Sequence, residues 1–295
     1  MTTLAEVLLT GLSLGSVYAL IAVGFVVIFR ASGVMNFAHG SLLLFGGYLT
    51  AVLHEPLGFL GALATAVLAS AALAGLIELV CMRRRPTETH VLAIVTIGVD
   101  ILLLTELARR IGPDVLDLGD PWGAGVFSAG GITLAQSRVA SVVVAAALVS
   151  LLFAAFRWSR WGLAMRAAAA DREAASLMGL RLGRVRLLAW CVAGALAAVA
   201  AVFLAAFPTP GLDRATGEIA LRAFPAAVLG GMDSVTGALI GSVLIGVTQA
   251  AVAGYQRSLG AFGEGLGDVA PYLVMIIVLL VRPRGLLGTR ETVRV

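Results

Sequence analysis

The sequence contains no lysine; all 21 of its basic residues are arginine. A P-loop places a Lys at the β/γ-phosphates, and Schiff-base catalysis requires a Lys amine. Neither chemistry is open to this chain, so it does not hydrolyse ATP through a P-loop of its own. Cysteine is nearly as scarce. Cys81 and Cys191 each stand near the end of an apolar run, which excludes a disulfide framework and a CxxC metal site. The three histidines, His39, His54 and His90, lack the spacing of a zinc site. Charge of either sign is sparse, at 13% of residues where a soluble domain carries about 25%. The first ten residues hold Glu6 and no basic residue, and the apolar run continues to Phe29. That is well past an h-region of roughly 7–15 residues, so the segment reads as a membrane span and not as a signal peptide.

What is abundant is apolar surface. Apolar residues make up 60% of the 295 positions, and the mean hydropathy is +1.00. Only lipid solvates such a chain, and runs of about 20 apolar residues mark where it crosses. The runs are Leu4–Phe29, Phe37–Leu53, Leu57–Val80, Val91–Ala108, Val139–Phe156, Leu187–Phe207, Ala223–Ala253 and Leu266–Val281. The fold class expected is an all-α polytopic bundle of eight to ten membrane segments, forming one transmembrane domain over residues 1–295.

Arginine placement orients the spans, because short cytoplasmic loops are enriched in Arg. Arg83-Arg84-Arg85, the seven Arg between residues 157 and 186, and Arg282, Arg284, Arg290 and Arg294 belong inside. The charge-balanced stretches 109–138 and 208–222 belong outside. The region between the sixth and last spans must then begin and end outside. Ala223–Ala253 is therefore expected to enter and return, as two half-length helices turning at Met232–Thr236. Counting backward places the amino terminus outside and the carboxyl terminus in the cytoplasm. The net charge of +4 fits loops that face anionic lipid. It is no signal for nucleic acid, because the arginines adjoin apolar spans. Gly11-x-x-x-Gly15 and Gly237-x-x-x-Gly241 have the spacing that lets helix backbones approach closely, although 35 glycines also produce such spacing by chance.

Several ordered motifs carry a resemblance. Gly11-Leu-Ser-Leu-Gly-Ser16 with Tyr18-Ala-Leu-Ile, then Asn36-Phe-Ala-His39-Gly40, Ile77-Glu78-Leu79-Val80 with Arg83-Arg84-Arg85-Pro86, Ile94-Val-Thr-Ile-Gly98, Gly162–Gly179 and Ala226–Gly241 follow one another along nearly the whole chain. The sequence resembles the branched-chain amino acid permeases of bacterial ABC importers, of the type usually called H. It departs from them in Arg83, where a Tyr is usual, and in Asp100, where small or weakly polar residues are common. The resemblance implies a permease subunit of the plasma membrane that is not itself an enzyme and holds no cofactor. It would work with two ATP-binding subunits, a second permease (homologous but distinct), and an extracytoplasmic binding protein. The implied cargo is branched-chain amino acids, or related small amides and urea.

Four groups of residues are candidates for function. Glu173-Ala174-Ala175-Ser176-Leu177-Met178-Gly179 reads E-A-A-x-x-x-G, a form that in ABC importers marks the cytoplasmic helix docked on the ATPase. It lies in the Arg-rich loop of about 157–186. Met165–Met178 is Ala-rich and expected to be helical, with Gly179 as its C′ residue; Arg172, Glu173, Ala174, Ala175 and Gly179 are the expected coupling residues. The alternative is an ordinary surface helix. Asn36–Ser41, flanked by Gly33 and Gly40, reads as a broken or re-entrant helix, a backbone tolerated only under protein or water. Such helices line substrate paths in secondary transporters, which makes Asn36, His39 and Ser41, with Ser13 and Ser16, path candidates. The alternative is a cap held by Asn36 and a hydrogen-bonded His39. Asp100 lies mid-span, where an ionisable group is costly and points to function; it could equally pair with an Arg or stay protonated. Glu106 is expected to pair with Arg109 and Arg110. Gly230, Gly231, Asp233 and Gly237 shape either a gate or simply a hairpin.

An ion-gradient-driven secondary transporter, with Asp100 or His39 as the coupling site, is the competing function. A membrane-embedded enzyme would need paired Asp, Ser-His or HExxH constellations, and none stands out.

Overall fold

A computed structural model describes residues 4–82, 89–122, 125–129, 132–206, 210–255 and 265–288. The clusters Arg83-Arg84-Arg85 and Arg290 with Arg294 lie outside these. The helices follow the apolar runs, with ends extended by polar residues. They are α1 (Leu4–Ser32), α2 (His39–Ile77, passing into a π-helical turn Glu78–Met82), α3 (Thr89–Ile111), α4 (Gln136–Trp158), α5 (Arg160–Ala170), α6 (Arg172–Leu177), α7 (Leu182–Ala206), α8 (Thr216–Leu221), α9 (Phe224–Gly230), α10 (Val235–Gly254) and α11 (Leu266–Val281). Strands β1 (Val126–Ala129) and β2 (Ile132–Ala135) form a small antiparallel hairpin. Six helical stretches among the described residues are long and apolar enough to cross a bilayer, and α11 is a shorter apolar helix. This is a multi-pass membrane protein.

The longest helix is two spans in one. Gly58, two residues after Pro56, has φ 68° and ψ 163°, outside the helical region and in a part of the map that Gly reaches without strain. A Cβ on Gly46 would lie 3.0 Å from Ser70 Oγ, although 24 residues of straight helix would part the two by about 36 Å. The chain therefore folds back at Gly58, in agreement with separate runs at 37–53 and 57–80.

Glycine-mediated contacts fasten both halves to α7. A Cβ on Gly46 would meet Ala198 Cα at 2.6 Å, and one on Gly194 would meet Ser70 O at 2.4 Å. Together α1 and α7 form the buried centre of the bundle. Gly11 and Gly15 of α1 pack on α10 through Val247, Val243 and Gly246; the small-residue spacing is a true helix contact.

Contacts also sort the loops between two ends. Arg186 Nε bonds Glu78 Oε1 at 3.1 Å, Trp161 Nε1 donates to Val185 O, and Asp233 lies within electrostatic reach of Arg30 at the foot of α1. These residues share one arginine-rich end. At the other end Leu116 and Leu212 exchange backbone hydrogen bonds of 2.9 and 2.8 Å, and Trp122 stacks on Phe203. Of the three arginine clusters, the 157–186 loop alone lies wholly among the described residues, and it falls at the first of these ends. Glu106 pairs with Arg109 (2.9 Å) and Arg110 (2.6 Å), as expected.

The region expected to be a hairpin of two half-length helices does turn back on itself, but its limbs are unequal. Its outgoing limb, α10, has 20 residues, whereas the incoming limb is broken into α8 and α9, of six and seven. It also begins before Ala223, within the stretch read as an outside loop. The turn is Gly231–Ser234, while Gly230 and Gly237 form the contact between the limbs: a Cβ on Gly230 would meet Gly237 C at 2.2 Å. The chain after α11 seals this turn, with Leu286 N donating to Leu229 O (2.7 Å) and Leu287 N to Gly230 O (3.1 Å). Those carbonyls end α9 and would otherwise be unpaired.

Candidate functional site

Polar chemistry gathers at three places. The first is the break between α1 and α2. After Ser32 the chain runs back along α1, so that the fully buried His39 ring packs on Phe25, with centroids 4.6 Å apart. A Cβ on Gly24 would lie 2.6 Å from that ring. Gly24 is eight residues short of Ser32, so α2 starts about 12 Å inside the end of α1. This is the re-entrant segment expected from Asn36–Ser41.

Its backbone is satisfied by neighbours. Asn36 Oδ1 accepts from Ala38 N at 3.0 Å. Thr96 Oγ1 of α3 accepts from Phe37 N at 3.1 Å. One turn further along α3, Asp100 Oδ1 accepts from Ser41 N at 3.2 Å. Asp100 therefore does not pair with an Arg; it caps the Ser41 amide in the first turn of α2 from another helix. Thr96 was missed by sequence reading, although its i, i+4 spacing to Asp100 is the signal. Asp100→Leu is expected to cost about 1–3 kcal/mol by leaving the Ser41 amide without an acceptor. Asp100→Asn keeps a carbonyl there and is expected to melt within a few degrees of wild type. Thermal unfolding in detergent checks the contrast.

Ser13 and Ser16 lie elsewhere. Ser13 Oγ meets Ser141 Oγ at 3.2 Å, and Ser16 Oγ donates to Ser13 O at 2.6 Å. Both belong to the seam between α1 and α4, which Arg138 extends with a bond to Thr10 Oγ1 at 2.5 Å.

The second place is the loop before α7. The single helix expected over Met165–Met178 is interrupted at Asp171, whose backbone is extended (φ −160°, ψ 111°) and whose carboxylate accepts from Ala174 N at 3.0 Å. It thus starts α6 as an N-cap. The other end of α6 is a Schellman motif: Gly179, at φ 83°, donates to Ser176 O (3.0 Å), and Leu180 N donates to Ala175 O (3.1 Å). Both ends are fixed, so a helix of only six residues holds its shape. Ala175 faces inward at 5% exposure, whereas Leu177 and Met178 are 83% and 84% exposed. Glu173 and Ala174 are exposed beside them. The Arg172 side chain lies outside the described residues. Sequence reading overlooked Leu177 and Met178, because the motif leaves their positions unspecified.

The third place is the broken limb. Asp213 and Thr216 cap α8 reciprocally, Thr216 N to Asp213 Oδ1 at 2.9 Å and Asp213 N to Thr216 Oγ1 at 3.2 Å. A Cβ on Gly40 would lie 2.7 Å from Gly217 O, so α8 reaches the depth of the α2 start. Glu218 is exposed there. Arg222, on the turn between α8 and α9, pairs with Asp268 of α11 at 2.5 Å. Nearby, the Tyr18 hydroxyl donates to Gln249 Oε1 at 2.6 Å. The Arg222–Asp268 and Tyr18–Gln249 pairings, 46 and 231 residues apart, were not legible from spacing. Gly230, Gly231, Asp233 and Gly237 lie at the far end of this limb and close its hairpin.

Comparison with known proteins agrees with this architecture. The family described as "Branched-chain amino acid transport system / permease component" matches residues 7–279. The high-affinity branched-chain amino acid transport system permease protein LivH of Salmonella typhimurium is 34% identical, covering 97% of this chain and 96% of its own. The corresponding protein BraD of Pseudomonas aeruginosa is 32% identical, over 98% and 97%. Among solved structures, PsaBC from Streptococcus pneumoniae in complex with Fab superposes with a TM-score of 0.50 over 93% of this chain and 91% of that one, at 14% identity, a likeness of fold. With its re-entrant helix start, capped loop helix and broken limb in place, the chain belongs to the family of branched-chain amino acid transport system permease components.

Proposed function

We propose that this chain is the membrane-spanning permease subunit of an ATP-driven importer of branched-chain amino acids in a bacterial plasma membrane. The observation that carries this reading is α6. It is a short helix fixed at both ends, on the arginine-rich end of the bundle, presenting Leu177 and Met178 beside a carboxylate. An exposed apolar pair of this kind calls for a partner surface, and the sequence has no P-loop of its own. The partner is an ATP-binding subunit, present twice in the assembly. A second permease, homologous but distinct, completes the path, and an extracytoplasmic binding protein delivers cargo. The arginine-rich end faces the cytoplasm, and the amino terminus lies outside. Cysteines at positions 2 and 292 are expected to label from opposite sides of the membrane; labelling of both from the cytoplasm overturns this orientation.

The broken limb is the path-lining element. Charges at membrane depth face protein or water, not acyl chains, and irregular backbone there is tolerated only on the same condition. Glu218 and Arg222 therefore face the second permease across a wet path. The test is uptake of radiolabelled leucine into proteoliposomes that hold the full complex. Uptake is expected to require ATP and to survive an ionophore. Loss with the ionophore while ATP persists would instead support an ion-coupled carrier, and preferential uptake of urea or a short amide would change the cargo.

A further inference from the structure

We propose that Arg222 and Asp268 form a transient binding station for the zwitterionic headgroup of an α-amino acid on its way through the path. This rests on the reading of the chain as an amino acid permease. The two residues are 46 positions apart, one on the turn between α8 and α9 and the other in the first turn of α11, and they meet at 2.5 Å. Their side chains are 29% and 56% exposed, so the pair opens onto whatever lies beside the subunit.

It also lies deep. Tyr18 is 14 residues from each end of α1, about 21 Å from either end, and both charges act on its hydroxyl. Tyr272, one turn beyond Asp268, feels the same two charges. The cluster thus lies near mid-membrane, where an open ion pair has no use for lipid as a neighbour.

The chemistry fits one class of ligand. A guanidinium takes a carboxylate through a planar fork, and a carboxylate takes an ammonium. An amino acid can insert between the two: its carboxylate replaces Asp268 on Arg222, and its ammonium takes the released Asp268. No unpaired charge arises in either the empty or the loaded state, which is what a low-dielectric setting demands. Val269 and Leu273, 49% and 48% exposed on the adjoining stripe of α11, offer apolar contact to a branched side chain. A ligand lacking either charge leaves one residue of the pair unmatched.

The experiment uses the complete complex in proteoliposomes with ATP and leucine-loaded binding protein. Arg222→Gln and Asp268→Asn are each expected to lower leucine uptake at least tenfold in complexes that still assemble. The charge exchange R222D/D268R is expected to restore thermal stability but not uptake. Uptake within twofold of wild type in either single variant, or full rescue by the exchange, overturns the proposal and makes the pair a tie between helices. In an otherwise wild-type background, Val269→Cys gives a readout that does not depend on those variants folding. Leucine is expected to slow its modification by a thiol reagent at least threefold, whereas 4-methylpentanoate and isoamylamine are not. Equal protection by all three, or none by leucine, overturns the station while leucine uptake persists. A wild-type complex that takes up no amino acid overturns the importer reading as well.

Discussion

Replacing Gly246 with valine is expected to part α1 from α10 and leave no transport-competent protein. A Cβ at position 246 would lie 2.4 Å from Gly15 N, 2.5 Å from Gly11 O and 2.6 Å from Gly15 Cα. These are backbone atoms of the most buried span, so no rotamer change relieves the overlap; one helix must move as a whole. Helix association in lipid depends on close packing, because burying apolar surface gains little there. Overpacking typically costs about 1–3 kcal/mol, and a backbone-to-backbone clash belongs at or above the top of that range. The control is Gly98→Ala, where a Cβ meets nothing within 4 Å and the exchange is expected to stabilise the helix by up to about 1 kcal/mol. Melting curves and the monodisperse fraction in detergent measure both. A Gly246→Val protein that melts with wild type would remove this contact from the account of the fold.

Loss of coupling is the other large effect expected. Glu173→Arg, Gly179→Val and the double change of Leu177 and Met178 to serine should each lower ATP-driven uptake at least tenfold while the protein still inserts. The three act differently. Glu173→Arg would set a like charge against the basic docking surface proposed on the ATP-binding subunit. The serine pair removes the apolar contact. Gly179→Val acts through the backbone alone: φ is 83° and a Cβ there meets nothing within 4 Å, so the penalty is the roughly 1–2 kcal/mol of a left-handed conformation. Gly179→Asn tolerates that conformation and is expected to keep most activity. Co-purification of the ATP-binding subunit, together with uptake, distinguishes failed docking from failed folding. Normal assembly and uptake in all three variants would exclude α6 from the mechanism.

How far the sequence discloses this protein depends on the range of the interaction concerned. Spans, loop placement and the Gly179 cap are local or cumulative properties, visible as apolar runs, arginine clusters and a seven-residue motif. The break at Asn36–Ser41 also showed, because glycines flank polar residues inside a short apolar run. Features set by distant partners did not. Gly11 and Gly15 were legible as a pair, but nothing near Gly246 points to them. Asp100 announced itself as costly, while its acceptor role depends on a helix start 59 residues earlier. The α8 part of the incoming limb escaped, because a six-residue helix bearing Glu218 and followed by Arg222 does not form a 20-residue apolar run. Its signals were small ones, the Asp213–Thr216 cap and Pro225 at the start of α9. The break between α5 and α6 at Asp171 has the same origin, since Ala-rich flanks argue for continuity and one capping side chain decides against it.

The brokenness of that limb has a consequence for how the protein is made. A translocation channel releases segments into lipid one at a time, by their own apolarity, and neither α8 nor α9 is long enough to be released alone. The limb must wait in the channel or at the surface until α10 follows it, and then enter as a late insertion between helices already in place. Chains truncated just after Leu221 and released from the ribosome should therefore leave this stretch open to protease from one side. Chains extended past Gly254 should shield it.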